Sequence, residues 1–276
     1  KPYITYNLLL NSSCYISRDL SASIYDGLGL NTSPGTKPRI WYRKTSNLNT
    51  LPGTNNNSTD GWKYAEASNS VSPFNFTIDY SLIFGGIYSG DVIEYFVVAQ
   101  DISATPNVGV NAGTFTTPPA SVALAVSNFP VTGANSYTLT AGLNGLVTVG
   151  ASGTYTSLTN AGGLFEAINF EGLNGNLTAE ILDANLSETG LNGLNPILSG
   201  CVGGYPLTIR PASGVTTLVE GSNATALINL NGADNVTVDG SNNGSSSKDM
   251  TIRNTGTGAA IRFFNGAANN TVKSCI

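Results

Sequence analysis

Histidine is absent from this chain, and charged residues are scarce. Histidine is the most common general base and the most common metal ligand in proteins, so its absence removes many catalytic and metal-binding arrangements. Only 11% of the 276 residues are charged, against roughly 25% in an ordinary soluble domain. The net charge is −5, and no basic stripe is present that could displace counterions from phosphates. We therefore expect no nucleic-acid partner.

Long apolar runs are absent as well. No run approaches the roughly 18–20 residues that cross a bilayer, so no membrane span is expected. Lys1–Leu10 contains an apolar cluster but lacks the length and the small-residue cleavage site of a signal peptide. Because the chain starts at Lys1 and stops at Ile276 inside a strand-like segment, we expect it to be a piece of a longer precursor.

Cysteine occurs only three times, at Cys14, Cys201 and Cys275. An odd number excludes a fully paired intramolecular framework. A single bridge between Cys14 and Cys201 is an alternative that the sequence does not favour. Cys275 lies in a strand-like segment, where a small buried hydrophobe is expected rather than a reactive thiol.

Glycine, asparagine, serine and threonine are abundant, with 32 glycines in the chain. Asparagine and glycine readily adopt the left-handed conformations of tight turns. The many threonines, valines and isoleucines between them favour strands and argue against disorder. The composition therefore predicts an all-β protein of short strands.

Residues 1–118 are expected to form a β-sandwich, because seven strand-like segments alternate with turn signals. Both faces of Val92–Asp101 are apolar except at Glu94, which predicts a central strand. Pro118-Pro119 ends this domain, since proline cannot continue a central ladder. The segments are Tyr3–Leu8, Arg18–Tyr25, Arg39–Lys44, Trp62–Ala67, Phe74–Tyr80, Val92–Asp101 and Gly113–Thr117.

Residues 119–150 show no clear period and are expected to be a linker or approach strands. Beyond them, apolar residues recur at steps of three and four, which predicts a short amphipathic helix with Thr156 or Ser157 as its N-cap. Such a helix would cover the open end of the repeats that follow. The apolar residues are Leu158, Ala161, Leu164, Phe165 and Ile168.

Short apolar segments recur between Asn/Gly-rich turns in the last third of the chain. The tripeptide NGA occurs at Asn231–Ala233 and again at Asn265–Ala267, 34 residues on. Such a period indicates stacked repeats that share one apolar column, so residues 151–276 are expected to form a parallel β-helix. Asn231 and Asn265 should then stack on successive turns. The segments are Asn176–Leu182, Leu207–Arg210, Ala226–Leu230, Asn235–Gly240, Met250–Asn254, Ala260–Phe264 and Asn270–Ile276, with a long outward loop at Asp183–Gly204.

Two sets of motifs resemble known families. PRIWYRK (Pro38–Lys44), Trp62 and GDVIEYFVVAQD (Gly90–Asp101) resemble an immunoglobulin- or fibronectin-III-like module. PLTIRPASG (Pro206–Gly214) and ALINLNGADNVTVDG (Ala226–Gly240) resemble the start of right-handed β-helix regions in large secreted proteins of Bacteroidota. Those proteins often carry a C-terminal sorting domain that the type IX secretion system reads, so the resemblance implies an extracellular or cell-surface location.

A polysaccharide lyase or glycoside hydrolase would need paired carboxylates, or a carboxylate cluster holding Ca²⁺ beside a basic residue. The candidates on the predicted β-helix are Asp234, Asp239, Asp249 and Arg253. Asx hydrogen bonds within turns are the more usual role of such aspartates.

Carbohydrate binding without catalysis has its own candidates. Trp41 and Trp62 could form a sugar platform, although a sandwich of this size usually buries a tryptophan in its core. Arg253 and Arg262 are expected to point outward, where they could bind glycans. Tyr42 and Tyr64 are further aromatic candidates for sugar binding. Candidates for structural Ca²⁺ lie at strand ends of the predicted sandwich and are Asp91, Asp101 and Asn107.

The sequence therefore predicts a non-catalytic extracellular protein, structural or adhesive, whose β-helix is a stiff shaft that displays a surface for polysaccharides or cell-surface components. No cofactor is expected. A lyase or hydrolase with a β-helix cleft, and a non-catalytic carbohydrate-binding module, are the two alternatives. Self-association into a larger surface assembly stays open.

Overall fold

A computed structural model describes residues 1–198, 201 and 203–276 of the chain. The chain divides into two compact units. The N-terminal unit comprises Lys1–Leu10 and Cys14–Leu139, and the C-terminal unit comprises Asn11–Ser13 and Thr140–Ile276. Residues 119–150, predicted as a linker or approach strands, carry strands of both units.

The N-terminal unit consists of antiparallel strands and two short 3-10 helices, Tyr80–Leu82 and Val126–Asn128. Buried and exposed residues alternate along the strands of one sheet, so that each strand covers a core with one face only. The strands are β1 (Tyr3–Thr5), β2 (Ser17–Tyr25), β3 (Arg39–Lys44), β4 (Lys63–Glu66), β5 (Phe74–Asp79), β6 (Val92–Gln100), β7 (Val108–Val110), β8 (Thr114–Phe115), β9 (Val131–Thr132) and β10 (Asn135–Thr138).

Two main sheets make up this unit. One has the order β1-β2-β5, and the other has the order β10-β6-β3-β4 with β7 also paired to β6. Strands β8 and β9 pair only with each other. The predicted strand positions each contain a strand, although the first is shorter than Tyr3–Leu8. Strand β7 was not predicted, and the short strands β9 and β10 lie in residues 119–150, where approach strands were one of the two expectations.

Strand β6 lies inside its sheet, as its two apolar faces predicted. Its neighbour β3 is buried at every residue. Ile40 and Tyr42 face a core shared with β2 and β5, while Trp41 faces a second core on the other side. The antiparallel sheets of this unit therefore enclose one core between them and pack a second against loops.

The C-terminal unit is a β-solenoid of four turns, built from parallel strands. Its described residues form three parallel sheets, with the orders β11-β12-β14-β17-β20, β13-β15-β18 and β16-β19. The strands are β11 (Leu143–Val149), β12 (Leu173–Ile181), β13 (Asn185–Ser187), β14 (Leu207–Pro211), β15 (Thr217–Gly221), β16 (Ala226–Asn231), β17 (Val236–Asp239), β18 (Met250–Asn254), β19 (Ala259–Phe264) and β20 (Thr271–Lys273).

Register between turns places like residues above one another. Leu177 pairs with Leu207, and Leu207 pairs with Val236. The next inward column is Ala179, Ile209 and Val238, again fully buried. Burial of each such aliphatic side chain is worth about 1.5–3 kcal/mol, so the columns hold the turns together. The predicted parallel coil with a shared apolar interior is confirmed.

The helix predicted before the repeats is present but shorter. It was expected to begin near Thr156 or Ser157, yet α1 spans Leu164–Glu171 with Gly163 as its N-cap. Gly162 has a φ of 71°, which a right-handed helix cannot contain, so the helix starts after it. Leu164, Phe165 and Ile168 of α1 are buried in the solenoid core.

Several details of the solenoid differ from the prediction. Its first strand is β11, and the strand expected to open it, Asn176–Leu182, corresponds to the second, β12. The segment Asp183–Gly204, predicted as an outward loop, contains β13 and buries Leu194, which bridges to Leu230. Residues 199, 200 and 202 of that segment lie outside the described residues. Strand β15 was not predicted.

The inward pair of the last repeat is only partly buried. Ile261 and Phe263 occupy the register positions of Ile228 and Leu230 one turn earlier. Ile228 and Leu230 are buried, whereas Ile261 is half-buried and Phe263 is 48% exposed. The difference arises because β19, which carries Phe263, pairs with β16 on one side only among the described strands.

Candidate functional site

The two tryptophans predicted as a sugar platform lie close together, but inside the N-terminal unit. Trp41 is 1% exposed and Trp62 is fully buried. The Trp41 indole N–H donates to Val122 O at 3.2 Å, and the Trp62 indole N–H donates to Asn49 Oδ1 at 2.7 Å. Both therefore act as core residues, and neither offers an open ring face. Tyr42 is also buried, on the opposite face of β3.

A cavity of about 220 Å³ lies beside these indoles. Tyr64 forms part of its wall, and the Tyr64 ring is held on two sides: the Arg39 guanidinium lies 4.2 Å from its centroid, and the Trp41 ring 4.9 Å. Arg39 is itself paired with Glu66 at 3.0 Å. The ring is thus engaged by protein groups, and the cavity is a recess in a packed aromatic cluster.

Of the two arginine candidates on the solenoid, Arg253 is exposed and Arg262 is half-buried, and both contact their own protein. Arg253 forms an ion pair with Glu220 on the preceding turn. The Arg262 guanidinium stacks over the Phe264 ring, 4.0 Å from its centroid. Neither side chain is presented as an isolated cation.

Asp239 is tied down from two sides. Its Oδ1 accepts a hydrogen bond from Ser241 N at 3.0 Å, and its Oδ2 lies 3.0 Å from Lys273 Nζ on the next turn. Asp239 is also 5% exposed. This carboxylate has the hydrogen bonds of a turn-stabilising aspartate.

The other two aspartates predicted as catalytic candidates have similar structural partners. Asp234 Oδ1 accepts from Ala268 N of the next turn at 2.6 Å. Asp249 Oδ2 accepts from Asn242 N at 3.0 Å, and this backbone hydrogen bond is the main cause that lowers the pKa of Asp249. A lowered pKa suits a permanently ionised group and opposes the role of a general acid near neutral pH.

In the described part of the solenoid, ion pairs connect adjacent turns at three places. Each joins two residues that are register partners in parallel strands, 30 to 34 residues apart. An exposed pair such as Glu220–Arg253 is worth about 0–1 kcal/mol, whereas the carboxylate of Asp239 is buried. The pairs are Glu180–Arg210 at 2.7 Å, Glu220–Arg253, and Asp239–Lys273 at 3.0 Å.

An asparagine ladder connects equivalent positions on successive turns of the solenoid. Asn265 Nδ2 donates to Asn231 Oδ1 at 2.6 Å, which confirms the predicted stacking of the two NGA repeats. Asn231 Nδ2 donates in turn to Asn195 Oδ1 at 2.8 Å. Asn195 was not predicted, because it is followed by Pro196 and no NGA tripeptide marks it.

The candidates for structural Ca²⁺ are engaged by protein groups. Asp101 Oδ2 accepts from Asn107 Nδ2 at 2.6 Å, and this hydrogen bond is the main cause that lowers the pKa of Asp101 to about 2. Asp91 Oδ2 accepts from Tyr88 N at 2.8 Å and lies 3.5 Å from Lys44 Nζ. Among residues 1–198, 201 and 203–276, no group of three or more acidic or cysteine side chains is arranged to hold a metal ion.

A buried carboxylate that the sequence did not indicate lies at the start of the solenoid. Glu188 is 2% exposed and accepts hydrogen bonds from Leu158 N at 2.6 Å and from Thr159 N at 2.7 Å. The Thr159 hydroxyl donates to the same carboxylate at 2.5 Å. Burial raises the pKa of Glu188 despite these donors. The residues that donate to Glu188 lie about 30 residues earlier in the chain, and no local sequence pattern predicts these hydrogen bonds.

Cys14 and Cys201 are disulfide-bonded, and Cys275 is a free thiol. Disulfide bonding of Cys14 and of Cys201 is an outcome that the sequence did not favour. Cys275 is half-buried and packs against the solenoid core, and burial raises the pKa of its thiol. Cys275 was predicted as a small buried hydrophobe, and it packs against the core but is only partly buried.

The fold and these contacts define the chain as an all-β protein with a C-terminal β-solenoid. Comparison with family models, with curated proteins and with solved structures finds no match. In the described part of the chain, no helix is long and apolar enough to cross a membrane.

Proposed function

We propose that this chain belongs to an extracellular structural or adhesive protein that binds carbohydrate without cleaving it. In this proposal the solenoid is a stiff shaft, and the N-terminal unit is a module of the immunoglobulin or fibronectin-III type. The observation that carries the proposal is that polar side chains on the solenoid bind to one another instead of forming a catalytic group. They contact partners one turn away, in the asparagine ladder and in the cross-turn ion pairs.

Stiffness is the property that such contacts supply. Each turn of a solenoid contacts only its neighbours, so its resistance to bending and to local opening depends on the interfaces between turns. Buried columns, side-chain ladders and backbone pairing all act at the same interfaces here. A rod of this kind holds a binding module away from a surface and exposes few sites to proteases.

The source and export route are part of the proposal. The motifs PLTIRPASG (Pro206–Gly214) and ALINLNGADNVTVDG (Ala226–Gly240) are similar to β-helix regions of secreted Bacteroidota proteins. The Cys14–Cys201 disulfide fits an oxidising compartment outside the cytosol. We propose a right-handed coil and export by the type IX secretion system on the same likeness.

The enzyme alternative is disfavoured by the state of its candidate residues. A retaining or inverting glycosidase needs one carboxyl group with a raised pKa beside a second, ionised carboxylate. Asp234, Asp239 and Asp249 instead accept hydrogen bonds from backbone N–H groups within turns or between turns. Arg253 is held by Glu220.

Incubation of the purified protein with polysaccharides tests the proposal. Neutral and acidic polymers are assayed for retention of the protein and for new reducing or unsaturated ends. The expected result is retention on at least one polymer with no new chain ends. Depolymerisation that is lost in Asp239→Asn, and kept in the control Asp60→Asn from the N-terminal unit, would contradict it.

A further inference from the structure

The outer face of the sheet β1-β2-β5 carries a distinct set of side chains. Along these strands every second residue points away from the core and is exposed. Two of the exposed residues are tyrosines, and the others are short polar side chains. They are Tyr3 and Thr5 from β1, Asp19, Ser21, Ser23 and Tyr25 from β2, and Asn75 and Thr77 from β5.

The two tyrosines lie side by side at one end of this face. Tyr3 and Tyr25 are direct register partners in the antiparallel pair β1-β2. Tyr3 is 70% exposed and Tyr25 is 72% exposed, so both rings keep free faces. Neither hydroxyl has a hydrogen-bond partner among the described residues, in contrast to the buried Tyr80 and Tyr137, whose hydroxyls bond each other at 2.6 Å.

A groove of about 330 Å³ lies on the same face, next to the tyrosines. Thr5 and Ser23, which line it, are the next register partners on the same face after the Tyr3–Tyr25 pair, and Ser21 follows them on this face along β2. At about 3.3 Å per residue, Tyr25 to Ser21 spans about 13 Å, which is long enough for more than one sugar ring. The remaining lining residues are Tyr6, Asn7 and Pro73.

The face is nearly free of charge. Of its eight exposed outward residues only Asp19 is charged, and Asp19 Oδ1 accepts a hydrogen bond from the Thr77 hydroxyl at 2.7 Å. Asp79, the half-buried last residue of β5 on the same face, accepts a hydrogen bond from Ser81 N at 2.9 Å.

No lysine or arginine is among the outward residues of the three strands, and at the tyrosine end the N-terminal amine of Lys1 is paired with Asp26 at 3.0 Å. The strands themselves therefore offer no cation to an acidic polysaccharide. Hydroxyl and amide groups beside open aromatic rings match a neutral sugar chain, which has apolar C–H faces to stack and hydroxyl edges to hydrogen-bond.

We propose that the Tyr3–Tyr25 face binds a neutral polysaccharide, with the two tyrosines stacking on one sugar ring and the groove holding the next. The site rests on the proposed carbohydrate-binding function and places it on the N-terminal unit. It replaces the buried Trp41 and Trp62 as the aromatic platform.

The test measures retention of the full chain on insoluble neutral polysaccharides (cellulose, chitin, xylan, mannan and β-1,3-glucan) and on acidic ones (polygalacturonate and alginate). Affinity for the matching soluble oligosaccharide is then titrated. We expect retention on at least one neutral polymer and on none of the acidic ones. Tyr3→Ala and Tyr25→Ala should each weaken binding about tenfold, while the phenylalanine variants, which keep the rings, should bind within a few-fold of the unaltered protein.

Tyr88→Ala is the matched control, because Tyr88 is 68% exposed in the same unit but lies outside this face. It should bind normally. If the protein binds a neutral polysaccharide and the Tyr3 and Tyr25 variants bind as well as Tyr88→Ala, the site is refuted while the proposed function stands. Binding to acidic polymers alone refutes the site in the same way. Retention on no polymer refutes both the site and the carbohydrate-binding function. Circular dichroism of each variant excludes loss of folding as the cause of weakened binding.

Discussion

Asn265 donates from its side-chain amide to the side-chain oxygen of Asn231, 34 residues earlier, at 2.6 Å. Asn231 repeats this contact with Asn195 on the turn before. The amides thus form a chain of hydrogen bonds that runs along the solenoid axis, at positions where the backbone turns between sheets. Each amide fixes the register of its turn relative to the neighbouring one.

Removal of the central amide of the ladder should weaken the solenoid. Asn231→Ala breaks the hydrogen bonds to both Asn195 and Asn265, and each bond is worth about 0.5–1.5 kcal/mol. We expect the free energy of unfolding of the solenoid to fall by about 1–2 kcal/mol in urea titrations. Asn176→Ala, an exposed position of the same unit with no side-chain hydrogen bond in the described residues, is the control. An equal loss in both variants would show that the ladder adds no stability.

The buried columns should dominate stability. Ile209→Ala removes a fully buried side chain between Ala179 and Val238 and should cost about 2–5 kcal/mol. The adjacent Thr208→Ala changes a residue on the other face of the same strand and should cost far less. Denaturant unfolding monitored by far-UV circular dichroism measures both. Similar losses would place Ile209 outside the core.

Glu188 should make the solenoid less stable as the pH rises. Burial raises the pKa of this carboxyl group above the ordinary value of 4.5, so the folded state favours the protonated form. The free energy of unfolding should therefore fall as the pH increases from 4.5 through the raised pKa. This pH dependence should be absent in Glu188→Gln. The variant keeps one oxygen acceptor, but its amide N–H₂ meets a backbone donor, so its free energy of unfolding below pH 4.5 should be about 1–2 kcal/mol lower than that of the unaltered protein. A slope that persists in the variant would assign it to another group.

Asp101 should control the acid stability of the N-terminal unit. Its pKa is lowered to about 2 by the Asn107 amide, so its contribution is complete above the ordinary value of 3.8 and is lost as the pH falls towards 2. Asp101→Asn should unfold with less pH dependence between pH 4 and pH 2 than the unaltered protein, measured by tryptophan fluorescence of Trp41 and Trp62. Identical acid transitions would contradict this role.

The sequence was informative where local pattern and fold coincide. The NGA repeats gave the period of the coil, and the alternation in β16 and β19 gave its inward residues. The two apolar faces of Val92–Gln100 gave its interior position. These features depend on residues near one another in the chain, and for that reason they could be predicted from the sequence.

Contacts between residues far apart in the sequence could not be predicted in the same way. Leu194 bridges to Leu230 and Asn195 extends the asparagine ladder, but no repeat in the sequence marks either residue, and the donors to Glu188 lie about 30 residues away. The burial of Trp41 and Trp62 depends on the second core of the N-terminal unit, which loop residues such as Val122 and Phe129 complete. The exposed Tyr3–Tyr25 pair requires the β1-β2 register, which the sequence alone did not fix.

The parallel stacking of turns is tested most directly by paired cysteines introduced on the outer side of the solenoid, with Cys275 replaced by serine. Thr178 and Thr208 are register partners on adjacent turns, whereas Thr237 lies one turn further, about 9.6 Å from Thr178 and beyond the reach of a disulfide. Mild oxidation followed by peptide mass mapping should give a Thr178→Cys/Thr208→Cys disulfide and no Thr178→Cys/Thr237→Cys disulfide. The reverse result, with the second pair bridged and the first pair free, would contradict the solenoid.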